Sequence, residues 1–407
     1  MLKFYAKHFF VSSYKLLLLS VVISVLVGSA SAIFLIHLDW ATNFRDNHTD
    51  IIWGLPFIGI AIAAIYHYWG KEVVKGNNHL LEEVDNPKNI VPLKMAPLVY
   101  IGTILTHLFG GSAGREGTAV QMGGSIADQF TTLFKLDNEE RKIILIVGIS
   151  AGFASIFDTP LAGAIFALEV LYIGRIRYQA LLPSLIAAFV AHYVCEAWPI
   201  HHTVYTINTV PPVSFSLVGW SIFVGILFGL TSRFFAVLMH KLSDVFQLVK
   251  YPLLRPFLGG LIVIGFVYLT GVTKYIGLGI PVIVESFTVQ QEYEVFFIKI
   301  LLTVITLSAG FKGGEVTPLF FIGATLGSAL SLLVPLPVGL LAGMGFVAVF
   351  AGATNTPVAC VIMGVELFGL ESVVYLLIAC LVAYLCSGHH GIYKSQKGNK
   401  WEIFRKA

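Results

Sequence analysis

Residues 110–118 read Gly110-Gly111-Ser112-Ala113-Gly114-Arg115-Glu116-Gly117-Thr118, and residues 310–318 read Gly310-Phe311-Lys312-Gly313-Gly314-Glu315-Val316-Thr317-Pro318. Each stretch closes one apolar run and opens another. A glycine-rich break between apolar segments leaves peptide groups unpaired, which a hydrocarbon environment tolerates only where protein, water or a ligand satisfies them. The N–H groups of the helix that follows point back into the break together with the positive end of its dipole. That arrangement receives an anion. Pro318 suits the first turn of such a helix, where its missing N–H costs nothing. A third break, Gly76-Asn77-Asn78-His79-Leu80, precedes a shorter stretch. Close helix packing through small residues would also explain glycines at any one of these places.

The composition says which environment the breaks sit in. The 407 residues are 57% hydrophobic and 12% charged, against about 25% charged in soluble domains. This is an all-α polytopic membrane chain. A net charge of +3 excludes the basic footprint of a nucleic-acid binder. Cys195, Cys360, Cys380 and Cys386 show no CxxC pairing, so neither a zinc site nor a disulfide framework is written there. The run from Leu16 to Leu38 follows Lys3, Lys7 and Lys15 and contains Gly28-Ser29-Ala30-Ser31-Ala32, which imitates a cleavage site. Its length is that of a spanning helix, and it is read as one. A second span runs from Ile51 to about Trp69, with Asp39 to Asp50 as the loop between them. Several later apolar segments, such as Leu161 to Tyr172, are too short to cross and are expected to be half-helices or re-entrant pieces.

Loop charge orients the chain, because Lys and Arg accumulate on the cytoplasmic side. Lys3, Lys7 and Lys15, the lysines from Lys71 to Lys94, Arg175 with Arg177, Lys250 to Arg255, and the tail bearing Lys394, Lys397, Lys400, Arg405 and Lys406 are placed inside. The stretch from Glu196 to Ser216 lacks Lys and Arg and is placed outside. The two halves therefore have opposite orientation, and they also repeat. Thr159, Pro160 and Glu169 match Thr356, Pro357 and Glu366 at an offset of 197, while Gly114, Glu116 and Thr118 match Gly313, Glu315 and Thr317 at 199. Equal order and near-equal offset indicate an inverted-topology duplication, a plan that puts sites at the repeat interface. The division expected is 1–205 for the first transmembrane half, 206–390 for the inverted second half, and 391–407 for a short cytoplasmic tail.

Glu116 is the first candidate. A carboxylate at membrane depth beside an anion-receptive helix start can occupy the anion's place, or take a proton and withdraw, and so couple proton to anion. Glu315 is either a second intramembrane carboxyl or a cap on its own helix. Glu169 and Glu366 end equivalent segments and are read as structural. His201-His202 and His389-His390 are adjacent pairs, which lack the i, i+4 spacing that aims two imidazoles at one metal. Neither metal nor cofactor is expected.

Together these residues resemble the CLC chloride channels and anion/proton antiporters. Gly114-Arg115-Glu116-Gly117 is similar to that family's gating-glutamate motif, and Gly314-Glu315-Val316-Thr317-Pro318 to its second anion-binding loop. Pro160-Leu161-Ala162-Gly163, the helix ending at Glu169, and Tyr393 fall where the family has their counterparts. The resemblance covers nearly the whole chain. It implies a homodimer with one pore per subunit, each subunit an inverted-repeat bundle of many short, tilted and broken helices. The departures resemble the fluoride-exporting branch. Gly76-Asn77-Asn78-His79-Leu80 replaces Gly-Ser-Gly-Ile-Pro, Thr118 replaces a proline, and Glu315 with Thr317 stand in a loop that is apolar in chloride transporters. Val170 stands where chloride/proton exchangers often carry an internal proton-transfer glutamate, and Glu315 is then the substitute.

Fluoride is small and strongly hydrated, so releasing its water requires dense donors. Asn77, Asn78, Thr317, Tyr393 and the N–H groups of Gly117 and Val316 are the expected anion-binding set, with Glu116 and Glu315 coupling the proton. The function expected is a fluoride/proton antiporter in the cell membrane (the inner membrane), with both termini cytoplasmic. A chloride or nitrate/proton antiporter, or a passive anion channel of the same fold, remains open. An intramembrane hydrolase using Glu116 and Glu315 is the reading from another class, and it lacks a nucleophile–base pair or metal-ligand set.

Overall fold

The breaks, the caps and the small residues together determine a bundle of sixteen α-helices, seen in a computed structural model that describes residues 2–389 and 391–398, with side chains from residue 14 onward. Lys400, Arg405, Lys406, His390 and the side chains of Lys3 and Lys7 lie outside the described residues. In the first half come α1 (Leu2–Asn47), α2 (Leu55–Tyr68), α3 (Asn77–Asp85), α4 (Met95–Leu108), α5 (Glu116–Leu133), α6 (Asn138–Phe157), α7 (Pro160–Glu169) and α8 (Leu181–Glu196). The second half holds α9 (Phe215–Gln247), α10 (Leu254–Thr270), α11 (Ile280–Glu285), α12 (Tyr293–Ser308), α13 (Val316–Ala329), α14 (Val338–Thr354), α15 (Pro357–Phe368) and α16 (Val373–Cys386).

Four helical segments, Tyr14–Asn47, Thr49–Tyr68, Tyr178–Glu196 and Phe215–Gln247, are long and apolar enough to cross a membrane. Others are too short: α7 has 10 residues, or about 15 Å at about 1.5 Å per residue, half of a hydrocarbon core of about 30 Å. The first helix differs from expectation. It continues through Asp39 and stops only at Asn47, because no glycine or proline follows Gly28 in it and polar side chains bond within the helix, as in Asn43 Nδ2 to Asp39 Oδ2 at 3.0 Å. Arg45 further ties this end to the His107 carbonyl at 3.0 Å.

The duplication read from the sequence is visible in the packing. α5 crosses α6, and α13 crosses α14 in the same manner. A Cβ on Gly123 would run into the Gly148 carbonyl oxygen, and one on Gly323 into that of Gly345. Both crossings bring backbone against backbone, which only glycine permits. The ends of α6 and α14 match too: each stops at a left-handed residue, Asp158 with φ 61° and Asn355 with φ 59°, followed by Thr-Pro opening the next helix.

Glu169 and Glu366 exchange places across this symmetry. The Glu366 carboxylate accepts the N–H groups of Leu161 and Ala162, both at 2.8 Å, at the start of α7. The Glu169 carboxylate accepts those of Val358 and Ala359, at 3.1 and 2.9 Å, at the start of α15. Each glutamate at the end of one repeat's half-helix thus caps the other repeat's half-helix, placing negative charge on a positive helix end. The structural reading of both residues agrees with this placement.

Two further features position the site. Asp128 on α5 grips the Arg141 guanidinium on α6 through two bonds, at 2.8 and 2.7 Å, and Glu83 on α3 lies 3.1 Å from the same guanidinium. These buried charges hold α3 against α5 and α6. A stacked aromatic wall runs through the centre, with Phe320 on Phe346 at 3.9 Å between ring centroids and Phe153 on Phe166 at 4.2 Å.

The crossings give a matched test. Gly345→Ala should destabilise by about 1–3 kcal/mol through overpacking. Gly265→Ala, where a Cβ meets nothing within 4 Å, should be neutral or stabilising by up to about 1 kcal/mol. Thermal unfolding of the detergent-solubilised protein, followed by size-exclusion chromatography, ranks the two.

Candidate functional site

The two glycine-rich breaks meet back to back. Gly114 N–H donates to the Gly314 carbonyl at 2.5 Å and Gly314 N–H donates to the Gly114 carbonyl at 2.7 Å, a single antiparallel bridge between repeats. Around it the first break is fastened at several polar atoms. Gly111 N–H bonds to the Thr106 carbonyl at 2.7 Å, and the Ser112 hydroxyl reaches the Tyr275 carbonyl at 3.1 Å and the Thr303 hydroxyl at 2.9 Å. The Thr118 hydroxyl, at the position of the missing proline, pairs with Thr103 at 2.6 Å.

This bridge sets where Glu116 goes. Its side chain, 1% exposed, crosses to the start of α13, where it accepts the Thr317 N–H at 3.1 Å and the Thr317 hydroxyl. It also accepts the Arg115 N–H at 3.1 Å, and the Arg115 guanidinium lies 3.7 Å away. The carboxylate therefore takes the donors that an anion at this helix start would take. Of the α13 groups named from the sequence, it is Thr317 that faces Glu116.

Glycine keeps the neighbouring space open. A Cβ on Gly314 would stand 2.7 Å from the Gly117 nitrogen and 3.2 Å from the Glu116 nitrogen, so both N–H groups would be covered by any larger residue. A Cβ on Gly117 would stand 2.9 Å from Asn77 Nδ2 and 3.7 Å from Glu315 Oε2. Asn77 and Glu315 therefore converge on Gly117 from opposite repeats. Asn77 Oδ1 and Glu315 Oε2 are both buried without a hydrogen-bond partner. An orphaned carboxyl oxygen that faces Gly117 together with the Asn77 amide, whose own oxygen lacks a partner, is the mark of a place that a proton or ligand completes.

Asn77 and Asn78 separate in the structure. Asn77 lines a small cavity together with Val170 and Tyr393. The Asn78 Oδ1 instead accepts the Ser395 N–H at 2.9 Å, which anchors residues 391–398. That segment, read from the sequence as the start of a tail, is a strap laid across one end of the bundle. Ile392 N–H bonds to the Ala353 carbonyl at 2.9 Å, and Ile173 N–H to the Lys397 carbonyl at 2.8 Å. The Ser395 hydroxyl bonds to Glu82 at 2.9 Å, and Gln396 reaches the carbonyls of Val170 and Thr354 at 2.9 and 2.8 Å. Lys397 pairs with Asp85, and that hydrogen bond raises the lysine above its ordinary pKa. The strap presents Tyr393, 8% exposed, to the cavity beside Asn77.

Sequence reasoning missed the walls of the approach on the other side. An open cavity of about 620 Å³, lined among others by Asp39, Arg45, Arg115, His202 and Lys274, leads to a narrow one of about 20 Å³ lined by Arg115, Glu116, His202, Thr203, Tyr205 and Thr317. Residues 202–205 belong to the long loop before α9 and carry no periodic signal that would announce them. Gln121, one turn beyond Glu116, was also missed; it packs 3.1 Å from where a Cβ of Gly76 would lie, and Gly76 has the positive φ of 54° that turns the chain into α3. The cavity on the Glu116 side and the one on the Asn77 side share no lining residue. Glu116 belongs to the first and Tyr393 to the second.

Residues 58–388 match the voltage gated chloride channel family. The chain belongs to that family, the CLC proteins. It is an integral membrane protein of CLC-type fold, its halves forming a bundle of short and broken helices around paired glycine-rich loops. It is 54% identical over 390 residues, covering 94% of this chain and 86% of the relative, to a protein of Pseudomonas syringae pv. tomato called "Chloride/fluoride channel protein". The crystal structure of a CLC-type fluoride/proton antiporter superposes with a TM-score of 0.92 at 37% identity, over 94% of this chain and 98% of that one. A slow cyanobacterial Cl⁻/H⁺ antiporter superposes at 0.79 and 21% identity, over 91% and 94% of the two chains, a likeness of fold alone.

The split between the asparagines is testable. Asn77→Ser should lower the fluoride-to-chloride flux ratio in proteoliposomes roughly fivefold, the weight of about 1 kcal/mol for one hydrogen bond. Asn78→Ser should leave that ratio near wild type and act on strap stability instead. Equal effects of the two substitutions on the ratio would contradict the assignment.

Proposed function

We propose that the chain is a fluoride/proton antiporter, a secondary active transporter that expels cytoplasmic fluoride using the inward proton gradient. The observation that carries the reading is the Glu116 carboxylate lying on the Thr317 N–H and hydroxyl. A side chain that competes with the transported anion for one set of donors leaves that set only when it is protonated or displaced, which ties the two ions together. The names of the similar proteins support fluoride as the anion, and the family relation favours transport over the hydrolase reading.

The second carboxyl distinguishes the scheme. Glu315 is reached from the Asn77 and Tyr393 side, and its unpartnered Oε2 becomes a donor when protonated. Fluoride arriving between Asn77, the Gly117 N–H, Tyr393 and protonated Glu315 exchanges its water for hydrogen-bond donors. Fluoride then moves to the start of α13, where it replaces Glu116, whose carboxylate takes a proton from the opposite side. The proton on Glu315 is released inward. As fluoride leaves, Glu116 hands its proton to the Glu315 carboxylate and returns to the Thr317 donors, so each proton that Glu315 gives up inward is replaced by one from outside. Val170 beside Tyr393 offers no proton route of its own, which leaves Glu315 in that role.

In this reading residues 1–205 and 206–390 are the two inverted halves, and 391–407 is the cytoplasmic tail whose first residues form the strap. Lys75, Arg177 and Lys397 gather around α3 and the strap, which supports placing that face and both termini in the cytoplasm. The protein works in the inner membrane as a homodimer with one pathway per subunit. The word "channel" in the relative's name keeps one alternative in view, passive flux of fluoride or chloride.

Fluoride efflux from proteoliposomes with simultaneous pH recording decides between them. An outward fluoride gradient should drive protons inward, and anion flux with no pH change would make the protein a channel. Glu116→Gln should reduce coupled exchange by about a hundredfold, the scale of a lost proton-transfer group. Glu315→Gln keeps a donor and loses the exchangeable proton, so fluoride binding by calorimetry should persist while turnover falls. Normal coupled turnover in Glu315→Gln would return this residue to the role of a helix cap.

A further inference from the structure

Outside the pathway, one cluster of side chains has the arrangement of a coordination shell. We propose that Asp158, His192 and Glu196 form a binding site for a divalent first-row transition-metal ion at the edge of the outer cavity. One carboxylate oxygen from each acid and one ring nitrogen of the histidine lie within 4.8 Å of one another. Asp158 is the left-handed residue that joins α6 to α7. His192 and Glu196 stand four apart in α8, on one face of the helix. This spacing escapes a reading that looks only at paired histidines.

The closest approaches use different ring nitrogens, so an ion would sit on one of them and draw both carboxylates to it from within the 4.8 Å that spans the cluster. His192 Nδ1 lies 3.1 Å from Asp158 Oδ1, and His192 Nε2 lies 3.4 Å from Glu196 Oε2. Nδ1 is nevertheless buried without a hydrogen bond, so it stands beside the aspartate oxygen and does not donate to it. Ligand atoms bound to one zinc at about 2.0–2.2 Å in a tetrahedral arrangement stand about 3.3–3.6 Å apart. The imidazole is 9% exposed, and the acids are open to solvent, at 42% and 45% of their side-chain surface. A histidine fixed by its surroundings and two accessible carboxylates give an ion both a rigid anchor and an entry route. Among the described residues the ion-pair contact of both acids is His192 itself, so a cation that binds the neutral imidazole takes over the place of its proton between them.

One nitrogen and two oxygens suit zinc and its neighbours better than calcium or magnesium, which prefer oxygen throughout. Water would complete the shell. A bound ion would clamp the α6–α7 junction to the end of α8. Phe157, next to Asp158, lines the cavity that holds Glu116, so the clamp would stiffen the wall of the outer approach and slow anion passage.

Zinc chloride titrated calorimetrically into the purified full-length protein in detergent tests the site. One zinc per chain is expected. Glu196→Gln and Asp158→Asn should each weaken binding by about tenfold or more, the scale on which metal sites respond to their supporting groups, and His192→Ala should abolish it. Glu196→Gln changes an exposed side chain, so its result does not depend on folding. His201→Ala with His202→Ala should leave binding intact. In proteoliposomes, zinc should slow anion efflux by the wild type and not by Glu196→Gln. No saturable binding to the wild type, unchanged binding in Glu196→Gln, or equal slowing of both proteins would overturn the proposal.

Discussion

Everything at the centre of this molecule depends on two peptide groups, Gly114 and Gly314, satisfying each other across the repeat boundary. In water such a pair contributes little, because the unbonded groups would be hydrated. In hydrocarbon an unpaired peptide group costs several kcal/mol, so neither glycine-rich loop can exist at this depth without the other. The bridge also sets the register. With Gly114 opposite Gly314, Glu116 two residues on reaches Thr317 three residues on, and the carboxylate falls on the start of α13. A shift of one residue would move that carboxylate away from its donors.

Four glutamates occupy related positions in the two repeats, and their partners separate them. Glu169 and Glu366 each accept two N–H groups from a helix start of the opposite repeat. Such a carboxylate is held at both oxygens and serves as a fixed counter-charge to the dipole. Glu116 shares its donors with whatever anion arrives, and Glu315 has one oxygen with no donor at all. The same residue type is thus a rivet in one pair and a movable part in the other. The difference lies in how completely the oxygens are satisfied.

Much of this was legible in the sequence because breaks in apolar runs are local signals. The helix starts at Glu116, Pro160, Val316 and Pro357, the glutamates that end equivalent segments at Glu169 and Glu366, and the duplicated glycines all leave marks in the order of residues; that those glutamates cap each other's repeat does not. Helix lengths were less legible: α1 outruns its apolar core because asparagine and aspartate bond within the helix and with Arg45, which hydropathy does not register. The separation of Asn77 from Asn78 could not be read, since adjacent residues at a helix start point in different directions and only the strap reveals which is engaged. The loop residues at 202–205 and the three-residue cluster at Asp158 come together by tertiary folding of irregular or distant segments, and no spacing rule links them.

The strap has a consequence for the life of the chain before it is finished. Asn78 and Ser395, the residues that fasten its middle, are 317 positions apart, and synthesis delivers the second only after both repeats have been made. The cavity beside Asn77 receives its tyrosine only when the segment after the second repeat arrives. Until then a part-made protein already in the lipid lacks that closure, and the strap's bonds from α3 to the ends of α7 and α14 are unmade. The order of assembly therefore places the seal after both repeats, so that a working pathway and its barrier come into being in a single closing event.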